Sequence, residues 1–172
     1  MSCGSKYTYD YLSSDQTSFL NTSPKNSILI FNDSNQIDSF VVTDFNIDTS
    51  PAYLAKGGMF SSDHHYMIEY GNAHYRCKKN YWSFYLEATS NDTYYKKPAI
   101  QDIQFANNST YDYSQIYSID FSQKGIPKFI GGTQYQNVLA LTSGKDTLYW
   151  SRSLGILGWK DSLSTYTVYR VF

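Results

Sequence analysis

The sequence predicts an all-β protein: a single antiparallel barrel, half-barrel or sandwich, entered through an extended or disordered N-terminal tether. Three observations carry that prediction. Apolar and polar residues alternate with a period of two over many short stretches, the mark of half-buried strands. Turn residues recur between those stretches, as in Gly131-Gly132 and Ser143-Gly144-Lys145-Asp146. No long 3.6-residue apolar period appears, so few helices are expected. Composition agrees: the 172 residues include 18 Tyr and 10 Phe, and aromatic and β-branched side chains fit pleated surfaces. The length suits one domain with one sizeable core.

Residues 1–26 are dominated by Ser, Thr, Asn and Asp. They read as a tether, with one short turn or strand near Tyr7, and residues 27–172 read as a single β-rich domain. Ser27-Ile28-Leu29-Ile30-Phe31 is the first strong strand. After the turn at residues 32–35, a second strand runs over 37–45, with Phe40, Val42 and Asp44 on one face. Residues 51–58 break the pattern. Residues 59–70 and 73–88 read as a hairpin about a Gly71-Asn72 turn. That register sets Glu69 opposite His74 and Met67 opposite Arg76. It gathers Tyr66, Ile68, Tyr70, Tyr75 and Cys77 on an inward face. Further strand pieces follow at 94–95, 100–105, 115–121 and 128–130.

The last forty or so residues spell out a β-meander through turn chemistry. A Gly-Gly turn leads through Tyr135 to the apolar strand of Val138 and Leu139. A polar turn leads to Leu148-Tyr149-Trp150, then to Gly155-Ile156-Leu157 and a final alternating strand over 165–170. This segment resembles the ending of small envelope lipoproteins of Bacteroidota. The resemblance covers about a quarter of the chain and implies an envelope lipoprotein with no particular reaction. Cys3, in Met1-Ser2-Cys3-Gly4-Ser5-Lys6, agrees with it. Bacterial lipoprotein processing leaves a Cys at the mature N-terminus, so Cys3 is the expected lipid-attachment site and Met1-Ser2 is expected to lie outside the mature chain. Cys77 is then a lone, buried thiol.

Charge excludes several classes of partner. The net charge is −1 and the sequence pI is near 6.3, which leaves no basic face for nucleic acid. Lys78-Lys79 and Lys96-Lys97 are too short for a polybasic membrane patch. No apolar run approaches the roughly 20 residues that cross a bilayer as a helix. Membrane association is therefore expected through an N-terminal lipid only, at the periplasmic or outer-membrane surface of a bacterial envelope.

Catalytic and metal signatures are weak. His65 and His74 share a face with Glu69 in the hairpin register, but the spacing along the strand exceeds what one ion spans. No metal and no cofactor are expected. No nucleophile motif stands out, and paired carboxylates are not identifiable. The unusual investment is in aromatics. Tyr81, Trp82, Trp150 and Trp159 are the candidate ligand-contacting residues, because such rings give contact area at low rotamer cost. The sequence thus points to a non-enzymatic lipoprotein domain that binds an unidentified ligand or envelope protein. The alternatives are a carrier of an apolar, acyl-type ligand in a β half-barrel, and a glycan- or peptide-directed hydrolase.

Overall fold

The computed structural model of the protein describes residues 6–21, 25–33, 36–51, 64–77, 82–90, 98–106, 110–160 and 167–171. The fold is all-β with one short helix. Its strands are β1 (Lys6–Asp10), β2 (Ile28–Asp33), β3 (Gln36–Pro51), β4 (His64–Cys77), β5 (Trp82–Thr89), β6 (Ala99–Ala106), β7 (Thr110–Ser118), β8 (Ile126–Ile130), β9 (Thr133–Ser143), β10 (Asp146–Ser151), β11 (Gly155–Lys160) and β12 (Thr167–Val171), with helix α1 at Ser14–Leu20.

Two antiparallel meanders, β2 to β7 and β8 to β12, are joined where β12 pairs with β2. The sheet order is β7-β6-β5-β4-β3-β2-β12-β11-β10-β9-β8. It is an up-and-down arrangement that does not close: β7 and β8 form its two ends. β7 comes back close to β9, and the Ser143 hydroxyl donates to Gln115 Oε1 across that approach. β1 is added in parallel to β4, in the register Tyr7 to His65 and Tyr9 to Met67.

The concave side is filled by side chains. Leu29 and Phe31 of β2, Phe40 and Val42 of β3, Ala73 and Tyr75 of β4, and Phe84 and Leu86 of β5 all point there. A bulge at Thr43 skips one residue of β3 between Val42 and Asp44. It turns Asp44 outward, and Phe45 and Ile47 continue the inner row. The expected face of Phe40, Val42 and Asp44 is corrected accordingly. A second, smaller cluster of Ile130, Val138 and Leu157 packs on the outer side of the C-terminal meander.

Gly71 and Asn72 are not a turn. β4 runs unbroken through them, with Gly71 opposite Ile47 on one side and Ala88 on the other. Glycine is needed there because α1 lies over it: a Cβ at Gly71 would sit 2.3 Å from Leu20 Cδ1. The strand period then places Glu69 and His74, five positions apart, on opposite faces. The expected Glu69–His74 pair does not form.

Residues 6–21, expected within the tether, are docked. They are extended over β1 as anticipated, but β1 is hydrogen-bonded into the sheet and α1 enters the core. Ser13 forms a capping box with Gln16: Ser13 Oγ accepts from Gln16 N at 3.2 Å, and Gln16 Oε1 accepts from Ser13 N at 2.8 Å. Gln16 Nε2 donates to Thr89 O at 2.7 Å, and Leu12 N donates to Glu69 Oε2 at 2.8 Å. Phe19 and Leu20 are fully buried. Burial of two such side chains, worth about 1.5–3 kcal/mol each, is what holds so short a helix in place.

Candidate functional site

Where the β7–β8 connection meets β9 and the β10–β11 turn, a seam cleft of about 630 Å³ is lined by residues 121–125, 135–137 and 151–154 together with Leu139. Three local devices build it. Asp120 organises the start of the β7–β8 connection: its Oδ1 accepts from Ser122 N at 2.9 Å and from Ser122 Oγ at 2.7 Å, and its carbonyl accepts from Gln123 N at 3.1 Å. A bulge in β9 sets Gln136 and Asn137 against Pro127 alone, since Ile126 pairs with Val138 and Lys128 with Tyr135. Asn137 accordingly sits at φ +53°. Gly125 closes against that bulge; a Cβ there would lie 2.3 Å from the Asn137 carbonyl carbon.

Arg152 forms the third wall. Its guanidinium bonds Asp15 Oδ1 of α1 at 3.0 Å, donates to the Phe121 carbonyl and lies 5.9 Å from the Phe121 ring centroid. Beneath it, Phe19, Phe121 and Trp150 meet with ring centroids 5.7–6.2 Å apart in edge-to-face geometry. The indole N–H of Trp150 is buried there with no partner among the described residues. A shallower, more apolar hollow of about 400 Å³ shares Tyr135 and Leu154 with the cleft and continues past Tyr169 and Arg170. Burial lowers the Arg170 pKa, and its guanidinium donates to the Leu154 carbonyl. Among the described residues, the cleft lining holds amides, hydroxyls, Tyr135, Phe121, Lys124 and Arg152, and no carboxylate, imidazole or thiol.

The residues named from sequence fall elsewhere. Trp150 and Trp159 are core side chains, 1% and 5% exposed. Trp159 packs against Phe31, Phe40 and Phe84 at 5.0–6.2 Å, so neither indole offers an exposed face to a ligand. Tyr81 and the side chain of Trp82 lie outside the described residues, as does Cys3. Cys77 is free and buried, beside Tyr75 in the inward row.

His74 stands on the outer face between Asp44 and Tyr85, with its ring 6.1 Å from that of Tyr85. Burial pushes its pKa below the ordinary value; Arg76 adds to the shift and Asp44 opposes it. Burial, with Glu87, Asp44 and Tyr70, raises the Tyr85 hydroxyl. A hollow of about 300 Å³ between Tyr70, Asn72, Tyr85 and Glu87 adjoins them. Among the described residues, no group of three His, Cys, Asp or Glu side chains is placed to hold a metal ion. The side chain of His65 is outside the described residues.

The seam cleft was missed from sequence because its walls, the β7–β8 connection, a bulge inside β9 and the β10–β11 turn, come together only through strand pairing. The one local signal was Gly125-Ile126-Pro127, a break before a short edge strand. No family model matches the chain, and no curated protein and no solved structure matches it.

Proposed function

We propose that the protein is a non-enzymatic lipoprotein of a bacterial envelope, held to the membrane through a lipid on Cys3, whose β-domain binds a ligand or protein partner in the seam cleft. The observation that carries the binding reading is the chemistry of that cleft. Its described walls supply hydrogen-bonding amides and hydroxyls, two aromatic rings and two cations, with no imidazole or carboxylate among them to serve as general acid or base. That is a recognition surface: concave, mixed in polarity and rigidly framed.

The carrier alternative is less favoured, because Phe31, Phe40, Phe84, Tyr75 and Tyr117 occupy the concave side that an acyl chain would need. The hydrolase alternative has the Ser122, Ser151 and Ser153 hydroxyls in the cleft but no histidine or carboxylate pair among the described lining residues to activate them. The test is a screen of soluble envelope glycans and peptides by amide chemical-shift mapping. Saturable shifts confined to residues 121–125, 135–139 and 151–154, with the ligand recovered unchanged, support the reading. Chemical turnover of a bound compound, abolished by a substitution in the cleft, refutes it. The anchor is tested separately by fractionating cells that express the precursor with Cys3→Ala, which should release the protein from membranes.

A further inference from the structure

We propose that Tyr7, Tyr9 and Tyr11 form a membrane-seating surface that rests in the headgroup layer of the bilayer holding the Cys3 lipid, an inference that depends on the anchor proposed above. These rings are the alternate residues of β1 and its continuation. They are 53%, 47% and 65% exposed. Their centroids are spaced 6.5 and 6.1 Å apart, with ring planes inclined by only 29° and 12°. The row is one strip of stacked aromatic rings, with the partly buried Met67 beside Tyr9 through the β1–β4 register.

The occupant follows from the short covalent distance between the anchor proposed above and β1. Lys6 is already paired with His64 in the sheet. Only three peptide units separate Lys6 from Cys3, a reach of about 10 Å at full extension. A lipid on Cys3 would sit at the acyl boundary, and the headgroup layer above it is about 5–7 Å deep on each side of a bilayer. The strip therefore begins within one or two headgroup depths of the anchor. A free tether of 26 residues would have let the domain float well clear; the docked β1 does not. Tyrosine is the side chain enriched at that depth, where its ring meets acyl chains and its hydroxyl stays wet. The strip is also rigid, because β1 pairs with β4 over its whole length and Leu12 N is held by Glu69. Three rings presented without further ordering cost little entropy to seat, and they add to a single lipid chain that alone binds membranes reversibly.

The experiment uses the full chain with a maleimide-lipid coupled at Cys3; Cys77 is buried. The conjugate is bound to vesicles of phosphatidylethanolamine and phosphatidylglycerol and footprinted with hydroxyl radicals. The same chain without lipid serves as the solution reference. Tyr7, Tyr9 and Tyr11 should label about fivefold less on vesicles, as expected for rings moved into the interface. Phe129 and Ile126, 69% and 59% exposed on the opposite meander, should not change. Equal labelling of the three tyrosines on and off vesicles would overturn the proposal. So would protection that appears without vesicles as protein concentration rises, which would assign the strip to a second copy of the chain. The coupling is chemical, so the result stands apart from whether cells lipidate Cys3, which the Cys3→Ala fractionation reads.

Discussion

The contact between Leu20 and Gly71 makes the docking of α1 measurable as a coupling energy. Leu20 is fully buried, so Leu20→Ala should cost about 2–5 kcal/mol through lost burial and the cavity left behind. Gly71→Ala adds a Cβ that would lie 2.3 Å from Leu20 Cδ1, 3.2 Å from Ile47 Cγ1 and 3.3 Å from the Asn46 carbonyl oxygen. Overpacking of that kind costs about 1–3 kcal/mol. With Leu20 already shortened, the worst clash is gone and only the two milder contacts remain. Alanine also recovers the roughly 0.5–1 kcal/mol that glycine costs in a strand interior. The double variant should therefore be no less stable than Leu20→Ala alone, which gives a coupling of about −1 to −3 kcal/mol. Urea unfolding followed by circular dichroism measures all four corners of the cycle. Additivity within about 0.5 kcal/mol would refute the reasoning. It would mean that Leu20 does not cover Gly71 and that the N-terminal segment is not part of the core.

Other outcomes are expected on the same physical grounds. His74 has a folded pKa below its ordinary 6.5 because of burial and Arg76, so the unfolded chain takes up the proton first. His74 contributes no penalty above that value, and stability falls as pH drops from about 6.5 toward the folded pKa. His74→Gln should flatten that part of the stability–pH curve, and an unchanged slope would contradict the burial argument. The Asp15–Arg152 pair is 42% and 49% exposed at its two side chains, so Asp15→Asn should cost under about 1 kcal/mol and less still in high salt. Denaturation at two ionic strengths checks it. Cys77 should react with a thiol reagent only at the rate of unfolding, read from labelling kinetics in increasing urea, since its sulfur lies in the inward row beside Tyr75.

Much of the fold was legible because turn chemistry and strand period act locally. Gly131, Gly132 and Gly144 take positive φ values of 56°, 85° and 61°, as the turns around them demand. The strands they separate fall where alternation put them, with Leu139, Leu141, Leu148 and Trp150 inward. The failure at Gly71-Asn72 has a clear cause. A glycine placed for a turn and a glycine placed for close packing look alike in sequence, and only the position of α1 tells them apart. The helix itself left a signal, Ser13-x-x-Gln16 ahead of Phe19-Leu20, which is a capping box before two core residues. The polar composition of residues 1–26 obscured it. The choice of Trp150 and Trp159 as contact residues failed because an alternating pattern shows which residues share a face but not which face meets solvent. Two opposed hydrophobic clusters, one on each side of the C-terminal meander, make that question unanswerable from period alone. The seam cleft depends on how the β7–β8 connection folds against the β9 bulge and the β10–β11 turn, which strand period does not show.

The proposed role of the seam cleft is to bind a ligand without transforming it. The most direct measurement is the amide shift map of the isotopically labelled chain with a compound selected for saturable binding, run beside the Asn137→Gly variant. Asn137 projects from the β9 bulge into the cleft wall at φ +53°, a backbone angle that glycine adopts without strain. The variant should keep its fold and lose side-chain contact. Shifts should cluster at residues 121–125, 135–139 and 151–154, the affinity should weaken about tenfold in Asn137→Gly, as befits one lost hydrogen bond at a binding site, and the ligand should be recovered intact. Shifts clustered elsewhere, or an affinity indifferent to Asn137, would contradict that role.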